Sequence, residues 1–85
     1  MTLIEKFTSA QEKVKTLSSR PSNEQLLELY ALYKQGVAGD VAGARPGMFD
    51  LKGRAKYDAW AGKKGLGKDA AQQAYVDLVE KLTRP

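Results

Sequence analysis

Leu26, Leu27, Leu29, Tyr30, Leu32, Tyr33 and Val37 fall within a span of twelve residues. At the helical period these positions cover far more than one face. A helix that is apolar over such an arc needs neighbours on more than one side, so the chain must supply several packed elements. The run opens after Arg20-Pro21, because proline disfavours helical geometry in the residue before it. Ser22 with Gln25 three residues on is a capping box. Gly36 and Gly39 are predicted to end the helix.

The other faces come from segments with the same periodicity. Leu3, Phe7, Ala10, Val14 and Leu17 recur at spacings of four and three, which predicts a first helix from about Leu3 to Ser18. Thr2 and Glu5 form its capping box. Asp50 is the expected N-cap of a third helix over about Leu51 to Gly62. On it Leu51, Ala55 and Ala59 share one line, and Lys52 and Lys56 share the next, with Trp60 following in that row. A turn over Lys63 to Gly67 leads to a fourth helix from about Lys68 to Leu82. Its apolar stripe holds Ala71, Ala74, Tyr75, Leu78, Val79 and Leu82. Asp69 near its start and Lys81 and Arg84 near its end match the helix dipole.

Residues 38–50 show no period and carry Gly39, Gly43, Pro46 and Gly47, which marks a long loop of the kind that is often functional. Val41, Met48 and Phe49 are expected to pin it to the core. No stretch alternates with period two. Residues 1–85 therefore read as one all-α domain of four helices.

Composition narrows the chemistry. With no cysteine and no histidine, the chain has no disulfide, no thiol nucleophile and neither of the usual transition-metal ligands. Met1 and Met48 are too isolated for a thioether site. Glu24 and Glu28 read as ordinary helix surface rather than as a catalytic dyad. The glycines of 62–67 follow no strand and lack the phosphate-loop spacing. No apolar run reaches membrane-spanning length, and Glu5 and Glu12 interrupt residues 1–20 where a signal peptide needs an apolar core. A cytoplasmic setting is expected.

What remains is aromatic and basic. Segment 45–68 carries seven cations against Asp50 and Asp58, a net +5, while the whole chain is +4. On the second helix Tyr30, Tyr33 and Lys34 stand together. Lys52 and Lys56 project toward one point from the third, and Tyr75 sits on the buried stripe of the fourth, where its hydroxyl needs a partner. The tyrosines suit a core edge with solvated lysines, and they equally suit a planar anionic ligand stacked on rings and held by ammonium groups. Two ligand classes stay open: a nucleotide-like small molecule, and a nucleic-acid or anionic membrane surface.

Several separated motifs carry a resemblance. They are Pro21-Ser22-Asn23-Glu24, Leu29-Tyr30-Ala31-Leu32-Tyr33-Lys34-Gln35, Gly39-Asp40, Arg45-Pro46-Gly47-Met48, Asp50-Leu51-Lys52-Gly53-Arg54-Ala55-Lys56-Tyr57-Asp58-Ala59-Trp60 and Ala74-Tyr75-Val76. In this order and spacing the chain resembles the acyl-CoA-binding protein family over nearly its whole length. The resemblance implies an up-down-down-up four-helix bundle and a non-enzymatic carrier of medium- to long-chain fatty acyl-CoA; with no strong coiled-coil seam left over, a monomer is expected. It implies no catalytic residue, metal or cofactor, no nucleic-acid partner and no stable membrane insertion. It places the adenine among Tyr30, Tyr33 and their neighbours, and the ribose 3′-phosphate on Tyr30, Lys34 and Lys56. Lys15 and Lys52 match other head-group positions, and Tyr75 matches the aromatic that closes the site. The tail would lie against residues such as Leu27 and Ala55. Three positions depart from the family pattern: Tyr57 where Trp is frequent, Gly36 where Ala, Ser or Thr is usual, and Gly67 at an N-cap where Ser is common. None removes an implied contact.

Overall fold

The computed structural model describes residues 1–84. They form four helices: α1 (Leu3–Val14), α2 (Asn23–Ala38), α3 (Leu51–Ala61) and α4 (Lys68–Thr83). The starts follow the local chemistry. Thr2 Oγ1 accepts from the Glu5 N–H (3.2 Å) while Glu5 Oε1 accepts from the Thr2 N–H (3.0 Å). Ser22 and Gln25 repeat this reciprocal pattern on α2 at 3.1 and 2.9 Å. Asp50 Oδ1 accepts from the Gly53 N–H (2.9 Å) and caps α3. Gly67 caps α4 with no side-chain bond.

Two ends differ from the sequence reading. α1 stops at Val14, four residues before the predicted Ser18. The Lys15 and Thr16 N–H groups bond three residues back, to Glu12 and Lys13, and Thr16 Oγ1 also donates to the Lys13 carbonyl (2.8 Å). A hydroxyl competing for backbone groups closes the helix before Leu17 can extend it. Gly36 does not end α2. It lies inside the helix, and a β-carbon there would stand 3.0 Å from Gln72 Cγ and 3.3 Å from the Phe7 ring. Its missing side chain lets α4 approach, and Gln72 Nε2 donates to the Gly36 carbonyl (2.9 Å). Gly39, at φ +80°, is the actual cap.

The core joins Phe7 and Ala10 of α1, Leu29 and Leu32 of α2, and Tyr75, Val76 and Val79 of α4. α4 packs on both α1 and α2, while α3 packs on α2 alone. The α2 C-terminus meets the start of α4, so those two run antiparallel. Tyr30 faces Lys56 and Lys34 faces Trp60, so α2 and α3 run parallel. The path is up, down, down, up.

α3 contributes no buried residue. Polar bonds hold it instead. Trp60 Nε1 donates to the Gly39 carbonyl (2.8 Å) and the Tyr57 hydroxyl to the Gly43 carbonyl (3.0 Å). Arg45 grips Asp58 with two bonds of 2.9 and 2.7 Å, and Lys63 pairs with Glu28 at 2.8 Å. These bonds also fix the long loop, which corrects the expectation of apolar anchors. Val41 is half-buried, but Met48 and Phe49 are 68% and 96% exposed. Val37, counted on the α2 stripe, is exposed as well, because neither α3 nor α4 reaches that line.

The loop and the α3–α4 turn meet at one side chain. Asp40 Oδ1 accepts from the Gly65 N–H (2.8 Å) and from Gln35 Nε2 (2.9 Å), and Gln35 Nε2 also donates to the Leu66 carbonyl (2.8 Å). The Gly65 N–H first, then Gln35 and the nearby Lys64 charge, lower the Asp40 pKa below 3.8. Its ionised form therefore adds stability above 3.8, which is lost as pH falls through the folded-state value. Asp40→Asn keeps an acceptor oxygen and removes the charge. Thermal melts should place this variant below wild type at neutral pH, with the gap closing as pH drops below 3.8. A gap of constant size would show that the charge is not what matters.

Candidate functional site

Because α3 touches only α2, the crevice between them stays open. It forms a groove of about 480 Å³. Leu26, Leu27, Leu51 and Ala55 supply its apolar surface. Tyr30, Lys52 and Lys56 add one ring and two ammonium groups, and Arg20 and Asn23 stand at the α2 N-terminal end. On α2, Leu27 lies about one turn before Tyr30; on α3, Leu51 and Lys52 lie one turn before Ala55 and Lys56, so apolar and cationic side chains line both levels of the groove.

Lys56 Nζ lies 5.4 Å from the Tyr30 ring centre and Lys34 Nζ lies 4.8 Å from that of Trp60, both within cation–π range. Tyr33 turns to the other flank of α2. Its ring is 6.1 Å from Phe7 and 6.5 Å from Tyr75, and Phe7 meets Tyr75 edge-on at 5.2 Å and 86°. Tyr75 is only 5% exposed, while Tyr33 keeps an open edge.

The structure thus brings Leu27, Tyr30, Lys52, Ala55 and Lys56 to one groove. Lys34 stands one turn further, over Trp60. Tyr33 and Tyr75 share a neighbouring aromatic cluster. Lys15 is the C-cap of α1, does not line the groove, and pairs with Glu12 at 3.7 Å. Sequence reasoning did not place Arg20 or Asn23 at the site. Asn23 sits four residues before Leu27, a spacing that would have marked it. Arg20 lies outside any helix and gave no periodic signal.

Among the described residues the ion pairs are Lys15–Glu12, Arg45–Asp58 and Lys63–Glu28. Arg20, Lys34, Lys52 and Lys56 have no carboxylate partner within 4.0 Å among the described residues. Within the basic segment Arg45 and Lys63 are neutralised at structural tethers, Lys52 and Lys56 stay unpaired along the groove, and Arg54, Lys64 and Lys68 are unpaired outside it, among the described residues. A smaller crevice of about 150 Å³ between α1 and α4, lined in part by Lys6, Lys13 and Glu80, holds none of the predicted residues.

An apolar channel edged by unpaired cations and a ring defines a binding module for an amphipathic anion. The comparisons sharpen that class. The profile of the family described as "Acyl CoA binding protein" matches residues 4–79. "Acyl-CoA-binding protein homolog 1" of Caenorhabditis elegans is 62% identical over 76 residues, covering 89% of this chain and 88% of that protein. "Acyl-CoA-binding protein" of Brassica napus is 50% identical over 82 residues, covering 96% and 89%. The crystal structure of Oryza sativa Acyl-CoA-Binding Protein 2 superposes with a TM-score of 0.91 at 46% identity, covering 95% of this chain and 90% of that one. The chain belongs to the acyl-CoA-binding protein family.

Burial, and after it the Tyr33 phenol, pushes the Tyr75 pKa above 10.0. The neutral phenol is the form the fold favours, so this contribution is intact below pH 10.0 and lost as pH rises through the folded-state value. Ultraviolet titration should show a phenol ionising above 10.0 that disappears in Tyr75→Phe. Loss of a phenol with an ordinary titration in that variant would contradict the buried setting.

Proposed function

We propose that this protein is a non-enzymatic, monomeric, cytoplasmic carrier of medium- to long-chain fatty acyl-CoA esters. Family membership supports the ligand class. The observation that carries the reading onto these residues is the set of unpaired lysines beside Tyr30 along an apolar groove.

The roles follow from chemistry. Tyr30 and the open edge of Tyr33 offer ring faces to the adenine. Lys34 and Lys56, with the Tyr30 hydroxyl, take the 3′-phosphate, each charged hydrogen bond contributing about 1.5–3 kcal/mol. Lys52, and Lys15 from the end of α1, serve the remaining head-group charge. Tyr75 backs Tyr33 through the aromatic cluster. Leu27 and Ala55 shield the tail, which gains about 0.8 kcal/mol per methylene withdrawn from water. Head and tail contribute together, so neither CoA nor free fatty acid alone should bind comparably. No helix is long and apolar enough to cross a membrane among the described residues.

Calorimetric titration tests this directly. Affinity should rise with acyl length until the groove is filled, with CoA, free fatty acid and duplex DNA all much weaker. Tight DNA binding without acyl-CoA binding would replace the carrier reading with a basic-surface one. Tyr30→Ala should cost more than Tyr30→Phe, since stacking contributes about 1–3 kcal/mol and the hydroxyl about 0.5–1.5.

A cycle with acyl-dephospho-CoA, which lacks the 3′-phosphate, isolates the phosphate contact. Lys34→Ala and Lys56→Ala should each cost about 1.5–3 kcal/mol against acyl-CoA and far less against the dephospho ligand. Lys64→Ala in the exposed turn should change either affinity little. Equal losses for both ligands would reduce the lysines to a diffuse positive field.

A further inference from the structure

The groove between α2 and α3 has two unlike ends. At one, Lys56 lies by the Tyr30 ring, and Lys34 lies one turn further on by Trp60. At the other, Leu27 and Leu26 lead back to Asn23, the first residue of α2, and to Arg20 in the segment before it. Asn23 precedes Tyr30 by seven residues, about 10 Å along the axis at a rise of about 1.5 Å per residue. A guanidinium thus stands at the far end of an apolar channel, with no carboxylate partner among the described residues. Its polar contact there is a long one, from Arg20 Nη1 to Asn23 Oδ1 at 3.5 Å. Glu24, next to Asn23 in sequence, neither lines the groove nor pairs with Arg20.

We propose that Arg20, with Asn23, is a subsite for the free carboxylate of an ω-carboxyacyl-CoA, the CoA monothioester of a dicarboxylic acid. The inference rests on the carrier reading above and names a further ligand class for the same groove. In that reading Lys34 and Lys56 hold the 3′-phosphate and Lys52 serves the remaining head-group charge. Arg20 is then the groove cation left without an anion to meet. A head at Tyr30 directs the tail along Leu27 toward it.

The chemistry at that end separates two kinds of tail. A terminal methyl gains nothing from a guanidinium. A carboxylate matches its fork with two parallel hydrogen bonds. The Asn23 amide offers a further donor, and the positive end of the α2 dipole lies in the same turn. Arg20 and Asn23 are exposed, so the carboxylate keeps water on one side and escapes the penalty of a buried charge. The same exposure limits the gain to that of a surface pair. The subsite therefore acts on the choice between ligands, admitting a charged tail end that a wholly apolar channel would reject.

Calorimetry with matched ligands tests this. Dodecanoyl-CoA is paired with the monothioester dodecanedioyl-CoA, and butanoyl-CoA with succinyl-CoA. The readout is the ratio of affinities within each pair, ω-carboxy over plain, which cancels any packing of the Arg20 stem on the tail. In wild type the dodecanedioyl ligand should bind at least as tightly as dodecanoyl-CoA. Arg20→Gln should lower that ratio about fivefold. Asn23→Asp keeps the arginine but sets a carboxylate beside it, in a first turn where an acid suits the dipole, and should lower the ratio likewise. Added salt should lower the wild-type ratio too. The short pair cannot span the groove to Arg20, so its ratio should respond to neither substitution. Lys64→Gln, in the exposed turn, should leave both ratios as they are. The inference is overturned if Arg20→Gln keeps the wild-type ratio, if the ratio follows Lys52→Gln instead, or if the short pair responds as the long pair does. Dodecanoyl-CoA binding with an unresponsive ratio sinks this subsite and leaves the carrier reading standing. Absence of binding by every ligand removes both.

Discussion

The fully buried Gln35 side chain joins α2 to the loop that follows it and to the distant turn before α4. Its nitrogen donates to Asp40 at the start of the long loop and to the Leu66 carbonyl in the turn before α4. Asp40 then takes the Gly65 N–H. These bonds set where α3 leaves α2 and where α4 returns. A buried amide nitrogen is costly unless it is bonded, so these two donations favour one arrangement of the connections over its competitors, while the Gln35 Oε1 is buried without a partner among the described residues. Gln72 repeats the device on α4, bonding the Gly36 carbonyl where a missing side chain lets the helices close.

A consequence is an asymmetric bundle. α1, α2 and α4 share the apolar core, and α3 stands outside it on polar tethers. A fully packed fourth helix would have closed the crevice that now forms the groove. The tethers also consume charge selectively. Arg45 and Lys63 are paired, whereas Lys52, Lys56 and Arg20 have no carboxylate partner among the described residues. Two cations of the basic segment therefore serve structure, and Lys52 and Lys56 face the apolar channel, while Arg54, Lys64 and Lys68 do neither among the described residues. Leu51, which lines the channel and is 74% exposed, carries it to the surface.

Much of this was legible in the sequence. The capping boxes at Thr2 and Ser22 and the Asp50 cap marked three helix starts, because these signals are local. The pairing of Lys52 with Lys56 followed from helical spacing, whereas Leu27 and Ala55 came only from the family resemblance, and the expected grouping of Tyr30, Tyr33 and Lys34 is split, since Tyr33 turns to Phe7 and Tyr75. Periodicity alone failed at Leu17, where Thr16 diverts backbone bonds, and at Val37, where no neighbour arrives. It failed at Met48 and Phe49 because apolar character says nothing about which surface a side chain will meet. Gln35, Gln72 and the Trp60 N–H gave no signal, since their partners lie far away in the chain. Which flank Tyr33 and Tyr75 share likewise depended on Phe7 reaching across from α1.

The central claim is that an amphipathic anion lies between α2 and α3, with its head at Tyr30 and Lys56. Amide chemical-shift mapping during titration with a long-chain acyl-CoA tests it most directly. The account predicts saturable, one-to-one shifts concentrated on residues 23–34 and 51–60, with residues 6–13 and 76–80 of the α1–α4 crevice largely unmoved. Shifts centred on that crevice, or a diffuse response over the basic surface with no saturation, would contradict it.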